Sequence, residues 1–292
     1  MANGILIVDK PADWTSQDVT AKLRGVFHER RIGHGGTLDP MATGVLPVFV
    51  GRATRAVEFM DHADKQYVAT LKLGLVTDTQ DIWGNVLEKC SVSVSKQQLL
   101  SVLPEFTGEI LQIPPMYSAI KIGGQKLYEL ARKGKQVERQ PRPITVHELE
   151  LLSGEADEWQ LRVHCSKGTY VRTLLHDIGQ RLGCGGCLSS LRRTGVGAFS
   201  EQCAVTMQQI LEFSAQHDAS ELLMPVDALF SQYLPLIVTL PQAERIRHGA
   251  EVADRQFSDG TWRVYSEDGS FLALGKCENG VLRTIKSFFE VN

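Results

Sequence analysis

The chain has 292 residues, 43% of them apolar, and a formal net charge of −3. That is enough for one large domain and a small one with a proper core. No run reaches the ~18 apolar residues of a membrane span, and the opening MANGILIVDK has no basic stretch or cleavage site. A soluble cytoplasmic protein without membrane contact is expected. The cysteines, at 90, 165, 184, 187, 203 and 277, are scattered as reduced thiols would be.

Residues 4–9 read as a short apolar strand ended by Lys10-Pro11. Thr15 or Ser16 then caps a helix with Val19, Leu23 and Val26 on its apolar side. The apolar, β-branched run 45–50 reads as a buried strand. Residues 66–73 alternate, with Tyr67, Ala69, Leu71 and Leu73 on one face. Residues 77–84 are a polar loop in which Asp78 and Asp81 fit turn caps better than magnesium ligands. Ser95 and Gln98 form a capping box before a helix with Leu99, Val102 and Leu103 inward.

Trp159, Leu161, Val163 and Cys165 alternate as a strand, and residues 166–169 turn. Val171, Leu174, Leu175, Ile178 and Leu182 then make one stripe of a helix. Near Leu229 the character changes. A short helix opens at Thr239 and ends at Gly249, and strands follow at 262–265, 271–275 and 281–286, with turns at 267–269 and 278–280. The mixture lacks a βαβ rhythm and fits an α+β fold, a largely antiparallel mixed sheet flanked by helices. The expected division is residues 1–228 and a β-rich module at 229–292.

Charge is distributed unevenly. Residues 121–142 hold seven Lys/Arg and two Glu, whereas residues 201–259 hold nine acids and three arginines. One basic face could therefore meet a phosphate backbone although the total is negative. A solvated charged face fits the same run.

The stretch RIGHGGTLDPMATG (31–44) puts Asp39 at the end of a glycine-dense loop, next to the 45–50 strand. Gly33, Gly35 and Gly36 would let backbone bend and approach a ligand, leaving Asp39 as a held nucleophile or base; a solvated turn is the plainer reading. Arg172 starts a helix beside the buried Val171 and can pair with a carboxylate through its planar fork, although a surface arginine has the same spacing. Tyr67 could be core or could stack on a flat ligand. His34 has no second ligand at metal spacing. Cys184 and Cys187 resemble half a zinc knuckle, but no second pair completes four ligands. The glycine loop is neither a Walker A nor a dinucleotide fingerprint. No cofactor and no metal are expected.

Several ordered blocks resemble the TruB family of tRNA pseudouridine synthases over essentially the whole chain. They are GILIVDKPADWTS (4–16), GHGGTLDPMATG (33–44), TDTQD (77–81), PPMYSAIK (114–121), CSKGTYVRTL (165–174) and LRRTG (191–195). The last sixty or so residues look like the PUA-like RNA-binding module of these enzymes. The resemblance implies a pseudouridine-synthase fold and conversion of uridine 55 in the tRNA T arm to pseudouridine. The N1–C1′ bond is cut and C5 is joined to C1′, by a monomer needing no protein partner.

By the same resemblance Asp39 is the catalytic aspartate. Whether it attacks sugar or base, or takes a sugar proton, is left open. Arg172 would pair with it, and Tyr67 would stack on the uracil and lie near its ring as a proton acceptor. Tyr170 and Leu191 would wall the pocket, Lys10 would brace it from below, and His34 would fill the gap left by flipped bases. Residues 117–142 resemble an insertion that closes on the T arm. Cys187 stands where a bulkier residue is expected. The competing readings are a guide-RNA-dependent pseudouridylase and a non-catalytic tRNA-binding or folding factor.

Overall fold

The apolar run near the start forms β1 (Gly4–Lys10), antiparallel to β3 (Thr43–Val50), with Val8 opposite Leu46 and Lys10 opposite Gly44. The computed structural model describes residues 2–289; Met1 and residues 290–292, the end of the expected C-terminal module, lie outside them. Between the two strands come helix α1 (Ser16–Phe27) and the short strand β2 (Ile32–His34). Thr15 is the cap: its hydroxyl accepts from the Asp18 amide, and the Asp18 carboxylate accepts from the Thr15 amide. Ser16 is thereby left for another task. Val19, Leu23 and Phe27 form the buried side of α1, each worth about 1.5–3 kcal/mol.

The main sheet runs Val205–Thr206, β1, β3, Gly186–Val196, β4 (Lys65–Leu73), Glu158–Cys165, Arg142–Glu155 and Gly108–Gln112. Its two parallel junctions are β1 with Val205–Thr206 and β3 with Gly186–Val196; the other pairs are antiparallel. The expected α+β class is what forms. On β4, Tyr67, Ala69, Leu71 and Leu73 all face the core, as their alternation predicts. The helix Val171–Arg181 buries Val171, Leu174, Leu175 and Ile178 against the same sheet.

The strand Gly186–Val196 has no clear sequence pattern, because Ser189, Ser190, Arg192, Arg193 and Thr194 interrupt its apolar positions. It is nevertheless the keystone. One edge meets β3 through only two residue pairs, Arg192 with Thr43 and Arg193 with Gly44. The other edge runs along β4 and sets Arg193 opposite Tyr67. The strand Arg142–Glu155 and the 3-10 run Gly51–His62 are likewise unmarked by simple periodicity.

The C-terminal strands form a separate five-stranded sheet, two strands more than the alternation indicates, because Pro235–Val238 and Val252–Ala253 join it. Asn279 and Gly280 both take positive φ (+54° and +74°), the geometry their hairpin turn demands. Leu274 and Phe288 pack into one cluster with Ile5, Phe49 and Met60 of the larger unit. Within residues 117–142, a hairpin (Lys121–Ile122 and Gln125–Lys126) and the helix Leu127–Ala131 share a small core of Met116, Leu127 and Leu130. Among the described residues no helix is long and apolar enough to cross a membrane. All six cysteines are free; Cys187 is fully buried, and burial pushes its thiol up to about 11.

Candidate active site

The loop between β2 and β3 carries Asp39, and its backbone is fastened at three places from three elements. Arg193 donates through a terminal nitrogen to the Gly36 carbonyl (3.0 Å) and through Nε to the Val45 carbonyl (2.7 Å). The Ser16 hydroxyl accepts from the Leu38 amide (2.9 Å) and lies 3.3 Å from the Leu38 carbonyl. Lys10 Nζ donates to the carbonyls of Pro40 (3.2 Å), Trp14 (2.6 Å) and Pro11 (2.8 Å). A loop so held cannot relax without breaking bonds elsewhere, which is the condition for presenting one side chain in one geometry.

Glycine is required at three positions in and just after the loop, Gly36 among them at φ +87°. Gly44 sits at φ +98°, where a Cβ would lie 2.2 Å from the Arg193 carbonyl oxygen. At Gly35 a Cβ would strike Met60 at 2.7 Å. Gly33 is different: a Cβ there would meet only ordinary contacts, so it does not supply the freedom the sequence suggests.

Asp39 is 42% exposed at its side chain and meets Arg172 at 3.0 Å, Nε to Oδ2; Arg172 is 7% exposed. Pairing and openness together let the carboxylate face outward while its orientation is fixed from behind. The remaining nitrogens of Arg172 donate to the carbonyls of Thr79 (3.0 Å) and Tyr117 (2.9 Å). Asp81 Oδ2 stands 3.7 Å from the same guanidinium. The turn-cap reading of Asp78 and Asp81 holds, since they accept from the amides of Asn85 (2.8 Å) and Trp83 (3.0 Å). Asp81 also faces Arg172, a relation that spacing alone does not reveal.

Tyr67 is buried, and burial raises its hydroxyl above the usual tyrosine value, opposed by the Arg193 charge beside it. Tyr170 precedes the Arg172 helix, with its backbone bonded both ways to the Gln112 side chain (2.9 and 3.1 Å); burial raises its hydroxyl too. Asp39 is close enough to push both tyrosines further up. Leu191 is buried two residues from Arg193, opposite Ala69 of β4. Burial pulls the Lys10 ammonium down to about 8, against Asp13 and Asp39, which raise it.

His34 ends β2, with Nε2 3.3 Å from the Gln17 side chain, and its Nδ1 is buried without a partner. Burial and then Arg193 lower its basicity, favouring a neutral ring. Thus the fold brings Asp39, Arg172, Tyr67, Tyr170 and Lys10 to one place.

Arg193 is the residue that reading the sequence singly does not find. It is 1% exposed and among the largest fully buried side chains. The one signal for it is two adjacent arginines in the LRRTG block. Only pairing on both edges of its strand separates them. Arg192 faces Asp9 through two bonds (2.9 and 3.0 Å), and Arg193 turns inward.

Comparison with known proteins adds an independent line. The family model described as TruB family pseudouridylate synthase (N terminal domain) matches residues 24–171. A second, the tRNA pseudouridylate synthase B C-terminal domain, matches residues 172–231, and a third TruB C-terminal model matches residues 235–285. The chain belongs to the TruB family of pseudouridine synthases. Among its TruB relatives, the tRNA pseudouridine synthase B of Dechloromonas aromatica (strain RCB) is 46% identical over 96% of this chain and 93% of its own length. That of Azoarcus sp. (strain BH72) is 43% identical over 97% and 94%. The solved structure of an H/ACA RNP bound to a substrate RNA containing 2'-deoxyuridine has a chain that superposes with TM-score 0.75 at 25% identity, covering 98% of this chain and 85% of that one. A chain of a Cbf5-Nop10-Gar1 complex gives TM-score 0.74 at 27% identity, covering 98% and 85%.

Proposed function

We propose that the chain isomerises uridine 55 in the T arm of tRNA to pseudouridine, acting in the cytoplasm as a monomer without protein partner or cofactor. The observation that carries this reading is the Asp39–Arg172 ion pair, open on its carboxylate side and adjoining the buried Tyr67. A uracil inside a folded T arm must first leave its stack, at a cost of a few kcal/mol. His34, whose buried Nδ1 has no partner among the described residues, fills the vacated space.

The extruded uracil stacks on the Tyr67 ring, with Tyr170 and Leu191 as walls. Asp39 acts on the nucleoside, and Arg172 holds it in line. The N1–C1′ bond breaks, the base turns, and C5 bonds to C1′. C5 gives up a proton and N1 gains one, so substrate and product have the same composition. Burial keeps the Tyr67 hydroxyl protonated at neutral pH, so it can accept the C5 proton only as it passes on its own.

Residues 117–142 form the clamp on the T arm. Lys121, Arg132, Lys133, Lys135 and Arg142 are exposed there and suit phosphate contacts, which position RNA without reading its sequence. Residues 1–228 act as the catalytic domain and 229–292 as a PUA-like RNA-binding module.

The test is pseudouridine mapping on transcript tRNA and on a bare T-arm hairpin, with wild-type and Asp39→Ala protein. The wild type should modify both substrates alone, and the variant neither, while still binding tRNA. Wild-type activity that requires guide RNA or added proteins would transfer the chain to the guide-dependent class. Binding without any product would leave a tRNA-binding factor.

A further inference from the structure

On the sheet face away from the Tyr67 core, the geometry points to a second site: a divalent transition-metal site made by Asp64, His147 and His164. Their ligating atoms all lie within 4.8 Å of one another. His147 Nε2 and Asp64 Oδ2 are 3.4 Å apart, the edge of a tetrahedron with metal–ligand bonds of about 2.1 Å. The two imidazoles lie 4.8 Å centre to centre, tilted by 48°. Closing the set to tetrahedral edges takes shifts of roughly an ångström in the ligating atoms.

Three adjoining strands build it. His164 belongs to Glu158–Cys165 and pairs with Gln66 of β4, whose first residue directly follows Asp64. His147 lies at a register shift in Arg142–Glu155, where Val146 pairs with Cys165 and Glu148 with His164. This β-bulge leaves His147 unpaired and sets it and Glu148 side by side, both exposed opposite His164, where strict alternation would send one of the two into the core. The bulge thus keeps His147 on the face that carries His164, beside a second imidazole and a carboxylate.

Neighbouring amines do not fill the place. Lys65 Nζ turns to the Ala63 carbonyl (2.6 Å), and Lys167 Nζ to the His62 ring (2.7 Å). Two imidazoles and one carboxylate are the donors of a zinc-type ion and leave a fourth position for water. Bound there, the ion would tie the entry of β4, three residues from Tyr67, to the next two strands of the sheet, Glu158–Cys165 and Arg142–Glu155. The site is a clamp outside the isomerisation chemistry, so it does not depend on the function proposed above.

Chelator-treated full-length protein titrated with zinc chloride by calorimetry, and with cobalt(II) by absorbance, tests this. One equivalent should bind, with a four-coordinate cobalt spectrum lacking thiolate charge transfer. His147→Ala and His164→Ala should each weaken zinc by at least about tenfold, and Asp64→Asn by a similar factor. His217→Ala, beyond the helix Met207–Ser214 and stacked on Phe213, should change nothing. Because the three ligands are partly exposed, the variants should fold, which thermal melts without metal verify. Absence of stoichiometric uptake by the wild type, or equal uptake by a His147→Ala/His164→Ala double variant, overturns the proposal, as does a spectrum showing cysteine ligation.

Discussion

Arg172 meets Asp39 through Nε alone and keeps its two terminal nitrogens for the carbonyls of Thr79 and Tyr117. One guanidinium therefore joins the acid to two loops that are remote from it in sequence. Arg172→Met leaves both carbonyls and Asp81 without their cation. The expected cost is about 2–3 kcal/mol of stability, discounted from a fully buried pair because Asp39 is open to solvent. Pseudouridine formation should fall by at least about a hundredfold. Urea midpoints and single-turnover rates measure the two effects separately.

Arg193 holds the acid-bearing loop at Gly36 and the strand after it at Val45, and stands beside Tyr67. Lysine keeps the charge but cannot reach both carbonyls with a planar fork. Arg193→Lys should lower the single-turnover rate about ten- to a hundredfold and leave tRNA affinity within about threefold. An equal loss in both quantities would place Arg193 in RNA binding instead.

Lys10 provides a pH-dependent reading of the same loop. Its folded value, about 8, lies below the ordinary 10.5, so the folded state releases this proton first. Below pH 8 the residue is charged in both states and adds no slope. As pH rises from about 8 to 10.5, its contribution to stability increases, by about 2 kcal/mol near pH 9.5. Urea midpoints of wild type relative to Lys10→Met should diverge in favour of the wild type over that window. Parallel curves would show that Lys10 titrates normally.

Trp83 is 55% exposed, and its amide is bound by the Asp81 carboxylate that faces Arg172. An exposed indole next to the site is a stacking platform for an unpaired base, worth about 1–3 kcal/mol. Trp83→Ala should weaken tRNA binding about five- to a hundredfold without altering the saturated single-turnover rate. Filter binding against rate at saturating enzyme checks this.

The sequence by itself determined β4, the helix after Tyr170 and the C-terminal hairpins, where burial of one face imposes a period of 2 or 3.6, and β3, whose unbroken apolar run is buried on both faces. It also carried Asp39, Tyr67 and Arg172, because their surrounding motifs are local. What only the tertiary structure decided is long-range. Gly186–Val196 forms because β3 and β4 flank it, which overrides its broken apolar pattern, and its pairing sends Arg193 inward while Arg192 goes to Asp9. Ser16 leaves the helix cap to Thr15 and fastens Leu38 instead, and a bulge puts both His147 and Glu148 on the face of His164. Each of these contacts joins residues far apart along the chain, and spacing encodes only neighbours on one element.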